Sequence, residues 1–121
     1  MRVLLVEDDP DFGQVVVDHL GRLGHHAEHA SNAPQALGLV DSFEPDIVVV
    51  DIRLPIFDGN SVAAAIGAHW TPRPGLIALT SVVEEVDTSL FDAWLQKPAT
   101  VAQVSTTLTD SLLRRAAAAG S

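Results

Sequence analysis

The sequence contains no cysteine and a single lysine, Lys97, among seven basic residues. Without cysteine, neither a disulfide framework nor a thiolate metal site can form. Seven basic against sixteen acidic residues give a formal net charge of −9. A chain so short of positive charge lacks the face that nucleic acid or an anionic membrane surface requires. Apolar runs such as Ile47-Val48-Val49-Val50 fall far below the ~20 residues of a membrane span. The N-terminal Val3-Leu4-Leu5-Val6 meets Glu7 instead of a small-residue cleavage site, so no signal peptide is read there. These absences describe a soluble, cytoplasmic domain that binds neither nucleic acid nor membrane.

What is present suits one domain. The 121 residues are 47% apolar, enough for an ordinary core. The expected core covers residues 2–115, followed by a flexible alanine-rich tail at 116–121. Short β-branched runs alternate with helical periodicity. Strands are expected at residues 2–6, 25–30, 46–51, 76–79 and 93–96, the second polar enough for a sheet edge. The run ending at Asp51 is buried on both faces, as in a parallel sheet. Helices are expected at about 10–23, 33–43 and 59–70 and from about 100 onward. Asp9-Pro10 supplies a cap and first-turn proline for the first of them. Five such βα units give an α/β, doubly wound, five-stranded parallel sheet with helices on both faces.

In such sheets ligands bind beyond the carboxyl ends of the strands. Glu7-Asp8-Asp9 follow the first strand and Asp51 ends the third. Thr80-Ser81 follow the fourth and Lys97-Pro98 the fifth. Carboxylates, a hydroxyl and an ammonium group therefore meet on one rim. Carboxylates crowded together repel unless a cation intervenes. All-oxygen ligation points to a hard ion, Mg²⁺ or Mn²⁺. An aspartate can attack phosphorus to form an acyl phosphate, with the cation, Lys97 and Thr80 neutralising the phosphoryl oxygens.

The motifs Val3-Leu4-Leu5-Val6-Glu7-Asp8-Asp9, Pro45-Asp46 leading to Asp51, Leu54-Pro55 before Asp58-Gly59, Leu79-Thr80-Ser81 and Leu95-Gln96-Lys97-Pro98 occur in one order along the chain. Together they resemble the response-regulator receiver family, with its flavodoxin-like fold, from Arg2 to about Leu113. The resemblance implies that Asp51 accepts a phosphoryl group from a sensor histidine kinase or phosphotransfer protein. It also implies that Asp8 and Asp9 serve the metal, with Asp9, Asp51 and the backbone carbonyl of Arg53 as direct ligands. Thr80 and Lys97 would contact the phosphoryl oxygens, and the Lys97–Pro98 bond would be cis. Trp94 stands where the family carries an aromatic that changes rotamer on phosphorylation. Such a domain is not an enzyme with an external substrate. It assists its own phosphotransfer and autodephosphorylation, and the switch changes its interaction with a downstream partner.

Each residue also has a plainer reading. Asp9 alone could only cap a helix, Asp51 could be a turn residue, and Lys97 and Thr80 could be surface groups. Five histidines suggest metal binding, but His25 and His29 share one strand face while His26 takes the other, so all three read as exposed edge residues. A degenerate, non-phosphorylated receiver would have lost one of the acidic, phosphoacceptor or lysine positions. A haloacid-dehalogenase-type phosphohydrolase would carry its nucleophilic aspartate on the first strand.

One departure from the family pattern stands out. Only seventeen positions separate Thr80 from Lys97, more than a helical turn short of the usual receiver. Val82, Val86 and Leu90 support a shortened fourth helix of about two turns. The usual dimer face is thereby in doubt, and a homodimer stays open. So does a readout through another face or through a remodelled loop at 81–92.

Overall fold

Alternation along the strands settles which side chains share a layer. A computed structural model describes residues 1–119, with side chains through Arg115. Five strands, β1 (Arg2–Val6), β2 (His26–Ala30), β3 (Ile47–Asp51), β4 (Gly75–Thr80) and β5 (Ala93–Gln96), form one parallel sheet in the order β2-β1-β3-β4-β5. Leu4, Val6, Val48, Val50, Leu76 and Ala78 face α2 (Ala33–Phe43) and α3 (Gly59–His69). Val3, Leu5, Ile47, Val49, Ile77 and Leu79 face α1 (Pro10–Arg22) and α4 (Val101–Ala119). All twelve are essentially free of solvent contact, each contributing about 1.5–3 kcal/mol of burial for the larger side chains. Among the described residues the polar strand β2 pairs only with β1, at the sheet edge its composition predicts.

The helix ends follow their capping residues. Asp9 accepts from the amides of Asp11 and Phe12, Asn32 from Gln35, and Asp58 from Ser61. Helix α3 carries no Lys, Arg, Asp or Glu. Gly59 opens it with its amide on the Ile52 carbonyl at 2.8 Å, pulling the helix start against the end of β3. Helix α4 continues through Ala119, because alanine is the strongest helix former. Residues 116–119, the first part of the expected tail, continue this helix, and residues 120–121 lie outside the described ones.

One expectation is revised between β4 and β5. No short α-helix forms there. Residues 83–85 and 88–90 make two separate 3₁₀ turns, with Val86 buried between them. Three-residue turns are what so short a connection can hold once Val86 and Phe91 are buried. Trp94 and Gln96, on the sheet face that a full helix would cover, are consequently exposed, the indole to 45%.

At the opposite end, Asp92 ties the sheet to α4. Its carboxylate accepts both Arg73 Nη1 and Nη2 at 3.0 Å, the Leu76 amide at 2.8 Å and Arg115 Nη1 at 3.5 Å. Burial pushes this carboxyl up. The Arg73 hydrogen bonds, the Leu76 amide and the charges of Arg73 and Arg115 more than offset that and hold it below its ordinary 3.8. A depressed acid contributes stability that is complete above the unfolded-state value and is lost as pH falls through the folded one. Asp92→Asn should therefore cost about 1–3 kcal/mol at pH 7. The difference should shrink in urea denaturation as pH is lowered below 3.8 and the wild-type carboxyl is itself progressively protonated.

Candidate functional site

The sheet order reverses between β1 and β3, so the crevice lies over the carboxyl ends of those strands. The β-ladder runs one residue past two strands. Glu7 N donates to the Ala30 carbonyl at 3.0 Å and Lys97 N to the Thr80 carbonyl at 2.7 Å. Alternation then places Glu7, Asp51 and Lys97 in line with the α1/α4 layer. Their side chains meet there. Lys97 Nζ donates to Asp51 Oδ2 at 2.8 Å and to Glu7 Oε2 at 3.1 Å. Asp51 is 3% exposed and Glu7 only 1%. The amide of Arg53 donates to the other Asp51 oxygen, Oδ1, at 3.0 Å.

Two buried carboxylates share one ammonium group, so the site carries uncompensated negative charge. Glu7 shows the strain: burial and then the Asp51 charge push its carboxyl up to about 7, against the opposing hydrogen bond and charge of Lys97. Burial lowers the Lys97 ammonium, but Asp51 and Glu7 together more than offset this and leave it raised. An exposed third carboxylate, Asp8, completes a cluster with Glu7 and Asp51 whose donor oxygens lie within 4.8 Å of one another. Hard oxygen donors with surplus negative charge fit a divalent cation such as Mg²⁺. Beside them opens a cleft of about 520 Å³ lined by Glu7, Asp9, Phe12, Ser81, Lys97, Pro98 and Ala99.

Not every expected residue joins the cluster. Asp9 Oδ1 is committed to the amides of Asp11 and Phe12 at 3.0 and 3.3 Å, capping α1. The acidic pair at the cluster is thus Glu7 and Asp8, one residue earlier than the Asp8–Asp9 pair read from the sequence. The parity of β1 carried the missing signal, because Glu7 continues the Val3–Leu5 face toward Lys97. Thr80 is buried beside the site, but its hydroxyl donates to the Val82 carbonyl and accepts from the Val82 amide, both at 3.1 Å. The Lys97–Pro98 bond is cis. His29 differs from the exposed edge residue expected. It is half-buried, with Nε2 2.7 Å from the Glu7 carbonyl oxygen and its ring against Gly13.

The family model described as the response regulator receiver domain matches residues 3–109. The chain belongs to the response-regulator receiver family. This receiver is 34% identical to the transcriptional regulatory protein TrcR of Mycobacterium tuberculosis, over 95% of the chain and 46% of TrcR. The chain spans about a third to a half of the length of the curated regulatory proteins it matches first. Among solved structures, a two-component response regulator from Clostridium difficile superposes with a TM-score of 0.85 at 22% identity, covering 95% of the receiver and 98% of that chain. The response regulator TrrA of Thermotoga maritima, solved in complex with Mg²⁺ and BeF, superposes at 0.81 with 23% identity, covering 91% and 97%. At such identities these two likenesses establish the fold.

Charge is unevenly spread over the receiver. Segments 7–11, 51–58 and 84–87 hold nine of its sixteen carboxylates at the carboxyl ends of the strands, against Arg53 and Lys97. Among the described residues no helix is long and apolar enough to cross a membrane.

Proposed function

We propose that Asp51 accepts a phosphoryl group from the phosphohistidine of a sensor kinase or phosphotransfer protein, in a reaction that requires Mg²⁺. The observation that carries this reading is the buried Asp51 carboxylate, held at 2.8 Å by the chain's one lysine and clustered with Glu7 and Asp8. One Asp51 oxygen attacks phosphorus, the P–N bond to the histidine breaks, and the imidazole leaves with the bonding pair. Lys97 Nζ is within reach of the incoming phosphoryl oxygens and can move to them from Asp51. Glu7, Asp8, Asp51 and the Arg53 carbonyl would hold Mg²⁺, which supplies charge neutralisation for the phosphoryl oxygens when bound. Mn²⁺ would suit the same oxygen donors.

Thr80 links this chemistry to a change of shape. To reach a phosphoryl group its hydroxyl must leave both atoms of Val82 that it now binds. Releasing Val82 loosens the start of the 3₁₀ segment, and Trp94 lies exposed on the neighbouring strand. A downstream partner would read that change. Transcriptional regulators among the relatives favour an output in gene control, delivered through whatever partner or domain binds DNA.

Incubation with Mg²⁺ and a small acyl-phosphate donor should add one phosphoryl group by intact mass. Asp51→Asn and chelation should each abolish the gain, and Trp94 fluorescence should change only when the group is present. An unmodified mass under every donor would instead indicate a receiver that binds partners without phosphorylation.

A further inference from the structure

The connection between β4 and β5, where a short helix was expected, is fastened to the loop that follows Asp51. Arg53 Nε and Nη2 donate to the two carboxylate oxygens of Glu85 at 3.0 and 2.7 Å, a two-point pairing. Asn60, in the first turn of α3, grips the same strap through its main chain. Its Nδ2 donates to the Glu85 carbonyl at 2.7 Å, and its Oδ1 accepts from the Asp87 amide at 3.0 Å. The strap is therefore held in place without help from the Glu85 side chain.

That leaves the Glu85 carboxylate with another task. Arg53 is two residues from Asp51, and its amide already lies on Asp51 Oδ1. Its side chain is long enough to fold back over that carboxylate. A guanidinium there would compete with any cation for the oxygens of Glu7, Asp8 and Asp51. We propose that Glu85 is a positioning residue for the phosphoacceptor site: it draws the Arg53 guanidinium away from Asp51, and Asn60 fixes the strap from which it does so. The inference rests on the metal-assisted reading of the site. It adds a residue outside the acidic cluster, on a segment whose length departs from the family pattern.

The Arg53 and Glu85 side chains are 62% and 38% exposed, so substitutions there should leave the fold intact and act through charge. Isothermal titration of Mg²⁺ into chelator-treated protein at low salt reads the effect without phosphorylation. Glu85→Gln should weaken Mg²⁺ binding roughly three- to tenfold by freeing one positive charge beside the site. Arg53→Met keeps the backbone carbonyl and should tighten binding by a similar factor. The double substitution restores a neutral pair and should return to within about twofold of wild type. The differences should shrink at 0.5 M salt, an approximate test condition that screens exposed charge.

If wild type binds Mg²⁺ and Glu85→Gln binds it equally well, the inference is overturned. It is also overturned if the double substitution keeps the deficit of Glu85→Gln, since Glu85 would then act only by shaping the strap. Failure of wild type to bind Mg²⁺ would remove the proposed function, and this inference with it.

Discussion

Replacing Glu7 by glutamine should make the metal-free protein more stable at pH 8, by about 1–3 kcal/mol. Glu7 is an acid whose folded-state pKa, about 7, lies above its ordinary value of 4.5. Across that window the folded state binds more protons than the unfolded chain. Its contribution to stability therefore falls as pH rises, by at most about 1.4 kcal/mol per unit, and the full penalty is present above about 7. Glutamine keeps the shape and removes the charge, leaving Lys97 paired to Asp51 alone. Wild type and variant should converge only as pH falls well below 4.5, where Glu7 is protonated in both folded and unfolded chains. Mg²⁺ should reverse the order at pH 8, stabilising wild type more than the variant because ligand bound to the native state adds its own free energy. Thermal melts at the two pH values, with and without Mg²⁺, check each part. An unchanged melting temperature for Glu7→Gln at pH 8 would mean that the buried carboxylate is already neutral or fully compensated.

Gly59→Ala should have the largest effect of any methyl-sized change. A Cβ there would run into the Asp51 carbonyl oxygen and lie 2.9 Å from Ile52 Cα and Val50 Cγ1. Two of these are main-chain atoms in or beside β3 and cannot rotate away. Relief requires lifting α3 from the strand end, at about 2–3 kcal/mol, or roughly 6–12 °C in melting temperature. The Gly59–Ile52 hydrogen bond closes the loop that carries Arg53, so phosphorylation of Asp51 should slow as well. Gly67→Ala in the same helix, with nothing within 4 Å of its added methyl, is the control. It should be neutral or stabilising by up to about 1 kcal/mol, through helix propensity. Equal behaviour of the two variants would refute the close-approach argument.

Much of this was legible before any coordinates. The β-branched runs gave five strands, and their alternation with helical periodicity gave a parallel sheet, because few architectures satisfy that pattern. Asp51 and Lys97 could be placed together since one ends a strand and the other directly follows one. The acidic pair was less legible. Three consecutive carboxylates offer two registers, and the choice depends on which of them caps α1 and which continues the strand. Asp9-Pro10 already signalled a cap, and one carboxylate oxygen cannot serve two amides and remain fully available to an ion. The strap was not legible at all. Val82, Val86 and Leu90 are spaced for a helix, yet the connection is too short for one, and burying Val86 and Phe91 breaks it into two turns. Contacts such as Asn60 with Glu85 and Asp87 join residues 25 and 27 positions apart and leave no local signature.

The crowding of carboxylates at one end of the sheet also gives the molecule a direction. The opposite end carries Arg2, Arg73 and Arg115 beside Glu44, Asp46 and Asp92, close to neutral in sum. A body charged this way is a macroscopic dipole. In the field of a basic surface it experiences a torque that turns Asp51 toward that surface before the two touch. Encounter with a positively charged partner should then be fast and already oriented, and added salt should slow association more than it hastens release.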